Sequence, residues 1–282
     1  MEYLKLNNDV KMPVEGLGTF LMSPAEAEAA SLAALEADYE HIDTANAYMN
    51  EKAVGRAIAK SGVARDKLFV STKLWPSVYE AGDAAIEGTL NRLGLDYVDM
   101  LILHQPVGNY LAAWKTMEKA YKEGKVRALG LSNFPQGKIA EVIDHAEIKP
   151  QLVTVECHPY FAQSDLREYL SQYGIVIEAW YPLGHGDKGL QEEPFFTKLA
   201  EKYGKTPAQV ILRWHVQMGT SIIPGSKNPA HIADNADIFD FELTDEEMAE
   251  VAKLDGTKKY YEATEEALAG YLAIKPDFDA QE

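Results

Sequence analysis

Along most of the chain, short apolar runs rich in strand-forming residues alternate with longer stretches in which apolar residues recur at intervals of three and four. The runs are GLGTF from Gly16, HIDTA from His41, LFVSTKLW from Leu68, VDMLILHQ from Val98, VRALGLSN from Val126, LVTVECH from Leu152, IVIEAW from Ile175 and TSIIPGS from Thr220. They predict eight strands. Between them lie helical patterns such as AEAEAASLAALEA, NEKAVGRAIAKSG, AGDAAIEGTLNRLG, YLAAWKTMEKAYKEG, GKIAEVIDHA and PFFTKLAEKYG. Ser23 with Glu26, Thr206 with Gln209 and Thr244 with Glu247 have the spacing of capping boxes, and Asn228-Pro229 opens a further helix. Strand-helix alternation implies parallel pairing through right-handed crossovers. Eight such units in 282 residues predict a closed (β/α)8 TIM barrel, whose usual size is about 250 residues.

Two additions stand outside the repeat. The LKLNNDVKM pattern within residues 3–13 predicts a hairpin that closes the barrel bottom, and residues 244–255 predict a helix followed by an aromatic, acidic tail that wraps the surface from Gly256. No Pro/Gly/Ser-rich linker divides the chain, so residues 1–282 are expected to form a single domain.

Composition narrows the function. Apolar residues make up 46% and charged residues 25%, as in a soluble protein with a sizeable core. A formal charge of −17 is spread along the chain, which argues against nucleic acid and anionic membrane as partners. There is no bilayer-length apolar stretch and no secretory signal pattern, so a cytoplasmic location is expected. The single cysteine, Cys157, cannot form an internal disulfide; with no further ligand at metal spacing beside His158, it reads as a buried structural residue and no metal is expected. His158, His185 and His215 have no cluster partners, and the runs EEPF, DEEM and ATEEA read as solvated faces and first helical turns.

In such a barrel the reacting groups project from the carboxyl ends of the strands. That rule selects Asp43, Tyr48, Lys73, His104, Ser132 and Asn133. Lys73 is the odd member, because a lysine in a buried strand is expected to need a carboxylate, and Asp43 on the neighbouring strand is the nearest candidate. A phenol titrates near ~10 in water, and an adjacent ammonium is expected to lower that value. Tyr48 would then give a proton to a carbonyl oxygen, with Asp43 keeping Lys73 charged and His104 donating a second hydrogen bond to the same oxygen. None of these groups supplies a hydride, so the reductant must be borrowed.

Taken together, these residues resemble the aldo-keto reductase family, in its bacterial 2,5-diketo-gluconate reductase and prostaglandin F synthase-like branch. HIDTANAYMNE, STKLW, LILHQP, GLSNF, VECHPY, AWYPLG, TPAQVILRW and IIPGSKNPAHIADN carry the resemblance across nearly the whole chain. It implies NAD(P)H-dependent reduction of aldehyde or ketone carbonyls, with Asp43, Tyr48, Lys73 and His104 as the catalytic tetrad and no glycine-rich Rossmann fingerprint. By the same resemblance Ser132 and Asn133 hold the nicotinamide carboxamide, Trp180 stacks on the ring, and Leu183-Gly184 pass near the pyrophosphate. Thr19, Pro224, Gly225, Ser226, Lys227, Asn228, His231 and Asn235 complete the cofactor set. Phe20, Trp75, Gln105 and the C-terminal tail line the substrate pocket, where Gln105 replaces the family's usual tryptophan and removes an aromatic wall.

Val153-Thr154 stand where many members carry Asn-Gln, which alters one carboxamide contact. Gly225 and His231 stand where NADP-dependent members carry basic residues, which points toward NAD(H). Lys227 after Ser226, at a helix start, points toward NADP(H), and that cofactor is favoured. Two other classes remain open on the residues alone: a Schiff-base lyase or aldolase using Lys73, and a nucleotide-binding sensor without turnover. No sustained heptad or apolar stripe demands a protein partner, so a monomer acting on a small-molecule carbonyl is expected.

Overall fold

The computed structural model describes residues 1–282 and begins with a short antiparallel hairpin, β1 (Tyr3–Lys5) against β2 (Lys11–Pro13). Leu6 and Met12 from this hairpin pack on Phe69, Met100, Ile102, Ala128 and Leu152, so the hairpin plugs the lower end of the barrel as its pattern predicts. The Asn7 side chain fixes the plug by donating to the Pro150 and Tyr173 carbonyls.

The main sheet runs in chain order: β3 (Leu17–Gly18), β4 (His41–Asp43), β5 (Phe69–Leu74), β6 (Met100–Leu103), β7 (Leu129–Ser132), β8 (Leu152–Glu156), β9 (Val176–Trp180) and β10 (Ser221–Ile222), every pair parallel. The first and last strands meet. Gly16 N donates to Ile222 O at 2.9 Å and Ile222 N to Val14 O at 2.8 Å, beside a parallel bridge of Glu15 with Ile222. A Cβ on Gly18 would lie 2.7 Å from the Ile223 carbonyl, so this seam closes only over a glycine.

Helices cover the outside: α1 (Pro24–Glu36), α2 (Glu51–Ser61), α3 (Asp83–Leu93), α4 (Tyr110–Lys122), α5 (Gln136–His145), α6 (Ser164–Ser171), α7 (Lys188–Glu192), α8 (Pro194–Tyr203), α9 (Pro207–Gln217), α10 (Pro229–Ala236), α11 (Asp245–Ala252) and α12 (Glu265–Ala273). All three capping boxes read from the sequence form with both reciprocal bonds, which fixes where α1, α9 and α11 begin. No helix is long and apolar enough to cross a membrane. Because helices cover one face of each strand and the barrel interior covers the other, all six residues of β5 are buried, polar ones included. Along it, Phe69, Ser71 and Lys73 point inward while Val70, Thr72 and Leu74 point to the helices.

The tail, expected to wrap the surface and to line the pocket, carries a helix that its composition did not suggest. It forms α12, capped by Thr264, and it crosses the barrel mouth. Tyr260 N and Tyr261 N donate to the two carboxylate oxygens of Glu156 at 2.7 and 2.8 Å, and Trp75 Nε1 donates to Ile274 O at 3.0 Å. Farther on, Phe278 is buried and Asp279 pairs with Arg92 at 3.0 Å.

Candidate active site

At the carboxyl end of the strands, a cleft of about 920 Å3 opens between the strand-end loops and the tail. Asp43, Tyr48, Lys73 and His104 all reach its wall. Asp43 ends β4, Lys73 is the last inward residue of β5, and His104 follows β6, so three adjacent strands deliver three of the four. Tyr48 arrives differently. It ends a short 3-10 turn, Asn46–Tyr48, whose position is fixed by Trp75 N donating to Asn46 Oδ1 at 3.0 Å and which ends at Met49 with φ of 59°.

Lys73 Nζ lies 2.5 Å from Asp43 Oδ2 and 3.0 Å from Thr44 O, and it is 2% exposed. Burial alone would drive a proton off this lysine, but the charges of Asp43, Tyr48 and Glu178 more than offset it and raise its pKa above the ordinary value. The lysine is therefore an ammonium. Asp43 takes a further hydrogen bond from Ser71 Oγ at 2.7 Å, which in turn meets His41 Nε2 at 2.9 Å.

The ammonium sits 5.1 Å from the centre of the Tyr48 ring, and the His104 ring meets Tyr48 edge-on with centroids 5.5 Å apart. Burial pushes the Tyr48 phenol up to about 12, against the opposing field of Lys73. This corrects the sequence-based expectation of a lowered value: both effects are present, and desolvation outweighs the ammonium. The phenol therefore keeps its proton at neutral pH. His104 is pushed well below the ordinary imidazole value by burial and by Lys73, so it is neutral. Its Nδ1 has no protein partner.

Of the remaining predicted residues, Ser132, Asn133, Trp180, Leu183, Pro224, Gly225, Ser226 and Lys227 line the cleft, as do Phe20, Trp75 and Gln105. Asn133 has φ of 62° and accepts from Trp180 Nε1 at 2.8 Å, which orients the indole and leaves the Asn133 amide nitrogen for the cleft. A Cβ on Gly225 would lie 3.1 Å from Gly18 O, so the two loops pass in contact there. Thr19 is not on the wall; it is fully buried and donates to the Asp43 carbonyl at 2.9 Å. Nor are Gly184, Asn228, His231 and Asn235. Asn228 caps α10 by accepting from Ala230 N at 3.0 Å, and His231 is exposed on that helix's first turn.

Several wall residues escaped the sequence reading. Tyr181, His185, Tyr260 and Tyr261 join Trp180 in an aromatic cluster around the mouth, with Trp180 to Tyr181 at 4.7 Å and Trp180 to Tyr261 at 5.5 Å between centroids, while Tyr271 meets Trp75 edge-on at 5.5 Å. Below them Ser132, Thr154, Glu178 and Ser221 stand in register across four strands, which sends their side chains to one face. Glu178 is fully buried, accepts from Thr154 Oγ1 at 2.9 Å and Ser221 Oγ at 3.3 Å, and is pushed up to about 7 by burial and by Asp43. The only sequence signal for it is a lone acid in the apolar run IVIEAW.

Comparison with known proteins agrees with this geometry. The sequence model described as "Aldo/keto reductase family" matches residues 16–256. A glyoxal reductase of Bacillus subtilis is 45% identical over 256 residues, covering 89% of this chain and 92% of that protein. A methylglyoxal reductase, DkgA, of Escherichia coli is 39% identical over 259 residues, covering 91% and 94%. The crystal structure of a Bombyx mori aldo-keto reductase in complex with NADP superposes with a TM-score of 0.87 at 33% identity, covering 93% of this chain and 95% of that one. The eight-stranded barrel, the strand-end constellation and these similarities agree that the chain belongs to the aldo/keto reductase family and is an oxidoreductase acting on carbonyl groups.

Proposed function

We propose that the protein reduces aldehydes and ketones with NADP(H), using Tyr48 as the proton donor to the carbonyl oxygen. The observation that carries this reading is the buried Lys73 ammonium, held at 2.5 Å by Asp43 and set beside the Tyr48 ring at the floor of a cleft. A bound nicotinamide supplies the hydride. As negative charge grows on the substrate oxygen, the Tyr48 hydroxyl passes its proton to it, and the nearby ammonium stabilises the phenolate left behind. Asp43 keeps Lys73 charged and fixed. Neutral His104 has an N–H to give to the same oxygen without competing for the proton. The tail and the aromatic cluster screen this exchange from bulk water.

The residues present fit the cofactor. Ser132 and the free amide of Asn133 suit a carboxamide, and the Trp180 ring is oriented to stack, all three on the cleft wall. Lys227 is the lysine on the cleft wall other than Lys73, and it stands just before the start of α10 where an anion is favoured. Two relatives take their names from glyoxal and methylglyoxal, and a small 2-oxoaldehyde suits the wall formed by Trp75 and Gln105. Gln105 is 5% exposed, its main chain is bonded in both directions by the Tyr79 hydroxyl, and its buried Oε1 has no protein partner. We further propose that residues 1–282 act as one domain and as a monomer in the cytoplasm; of the large exposed apolar side chains, Phe20, Leu21 and Ile274 line the cleft, which leaves Met1, Tyr3, Val63 and Leu272 outside it.

A charged Lys73 is a poor nucleophile, which speaks against the lyase class. The test of the reductase reading is Tyr48→Phe. The variant is expected to lose about 10^3-fold in kcat/KM with methylglyoxal, within the usual range for a general acid. Its NADPH dissociation constant should stay within about twofold of wild type, since no binding area is removed. Wild-type turnover by the variant would overturn the assignment.

A further inference from the structure

The wall lysine that suits the cofactor's anion is itself paired with a carboxylate that the reductase reading does not use. Lys227 Nζ lies 2.9 Å from Glu26 Oε2, with the two side chains 50% and 42% exposed. Glu26 is the third residue of the α1 capping box: the same Oε2 accepts from Ser23 N at 2.8 Å, and Glu26 N donates to Ser23 Oγ at 3.3 Å. The Lys227 ammonium and the Ser23 bonds hold the Glu26 carboxyl down at about 2, so it is ionised throughout the working range.

Its position is fixed by the fold. Tyr39, just past the end of α1, donates to Ile232 O of α10 at 3.1 Å, and Lys227, just before α10, meets Glu26 in the first turn of α1, so the two helices are packed neighbours whose starts touch through this pair. The side-chain cap of each takes one donor, Glu26 N by Ser23 Oγ on α1 and Ala230 N by Asn228 Oδ1 on α10. Lys227 is the cation beside these helix starts on the cleft wall, and its counter-charge is already supplied by Glu26.

Resting on the NADP(H) reading, we propose that Glu26 is a cofactor-discriminating residue that shares the Lys227 ammonium with the cofactor's 2'-phosphate and so weakens the preference for NADPH over NADH. The physical basis is competition. The phosphate gains the full attraction of Lys227 only by loosening the Glu26 pair, and it also meets the carboxylate's like charge. NADH carries a hydroxyl in place of that phosphate and is indifferent to both.

Glu26→Gln separates the charge from the cap, because glutamine at this position also completes a capping box. Dissociation constants for NADPH and NADH are measured by calorimetry on wild type, Glu26→Gln, Lys227→Met and the double variant. Expected is NADPH binding about fivefold tighter in Glu26→Gln, the scale of one exposed ion pair, with NADH binding unchanged. The gain should disappear in the Lys227→Met background. Equal changes for both nucleotides, no change, or a gain that persists without Lys227 would each overturn the proposal. Failure of wild type to bind either nucleotide would instead remove the cofactor reading on which it rests, and the proposal with it.

Discussion

Consecutive residues of β5 serve two buried ion pairs that face opposite ways. Lys73 points into the barrel and meets Asp43 at 2.5 Å. Thr72 points out and donates at 2.7 Å to Glu51, which also takes Thr89 Oγ1 at 3.0 Å and Arg92 Nε at 2.6 Å. Both pairs are almost inaccessible: 2% and 1% exposed for Lys73 and Asp43, 7% and 0% for Arg92 and Glu51. Arg92 is further held by Thr89 and by Asp279 of the tail, so the outer pair is closed on itself between α2, α3 and the tail. The inner pair borders the cleft and the Tyr48 ring. Burial and pairing are common to both. What separates a candidate catalytic pair from a structural one is that its charge also acts on a third group facing open space.

The sharpest way to break this comparison is to neutralise each cation. Lys73→Met leaves Asp43 buried without a counter-charge and removes the field behind the proposed acid. It is expected to lower kcat by about 10^3-fold and stability by about 3 kcal/mol. Arg92→Met leaves Glu51 equally stranded, and a comparable loss of 3 to 5 kcal/mol in urea denaturation is expected, roughly the effect of breaking any buried pair. Its kcat/KM per folded molecule at 25 °C should nevertheless stay within about twofold of wild type, because no group facing the cleft has changed. If Arg92→Met reduced kcat as Lys73→Met does, the division of labour across β5 would be wrong.

The inner pair was legible in the sequence and the outer one was not. A lysine near the end of LFVSTKLW stands out because the strand around it is apolar, and the strand-end rule brings Asp43, Tyr48 and His104 to the same level. Alternating strands and helices likewise made the barrel and its hairpin plug readable, because each strand's pattern is local. Glu51 sits in an ordinary amphipathic helix, and its partners lie 21, 38 and 41 residues away. The same holds for Glu178 with Thr154 and Ser221, and for Glu156, whose tail donors are over 100 residues distant. Nor does any spacing say that desolvation outweighs the ammonium at Tyr48, since that balance depends on depth of burial. The tail helix α12 is hidden in an aromatic and acidic stretch from Gly256, where its start is marked by the Thr264 cap.

A third buried carboxylate completes the comparison, because it has no cation at all. Glu15, at the barrel seam, is fully buried; Oε1 accepts from the Tyr39 hydroxyl at 3.0 Å and Oε2 has no partner. Burial pushes its carboxyl up to about 8, against the Tyr39 bond, so the native protein holds this proton at neutral pH. An unfolded chain releases it near pH ~4.3. The contribution to stability is therefore complete below that value and is lost as pH rises through about 8, the reverse of a carboxylate stabilised by a cation. Glu15→Gln keeps the shape and removes the titration. Its Tm should match wild type within roughly two degrees at pH 5 and exceed it by roughly several degrees at pH 9. The other titrating groups are common to both proteins, so the difference between the two melting curves isolates Glu15. A Tm difference that does not change between pH 5 and pH 9 would mean that Glu15 is ionised in the native state, and that burial at the seam tolerates an unpaired charge where the two sides of β5 do not.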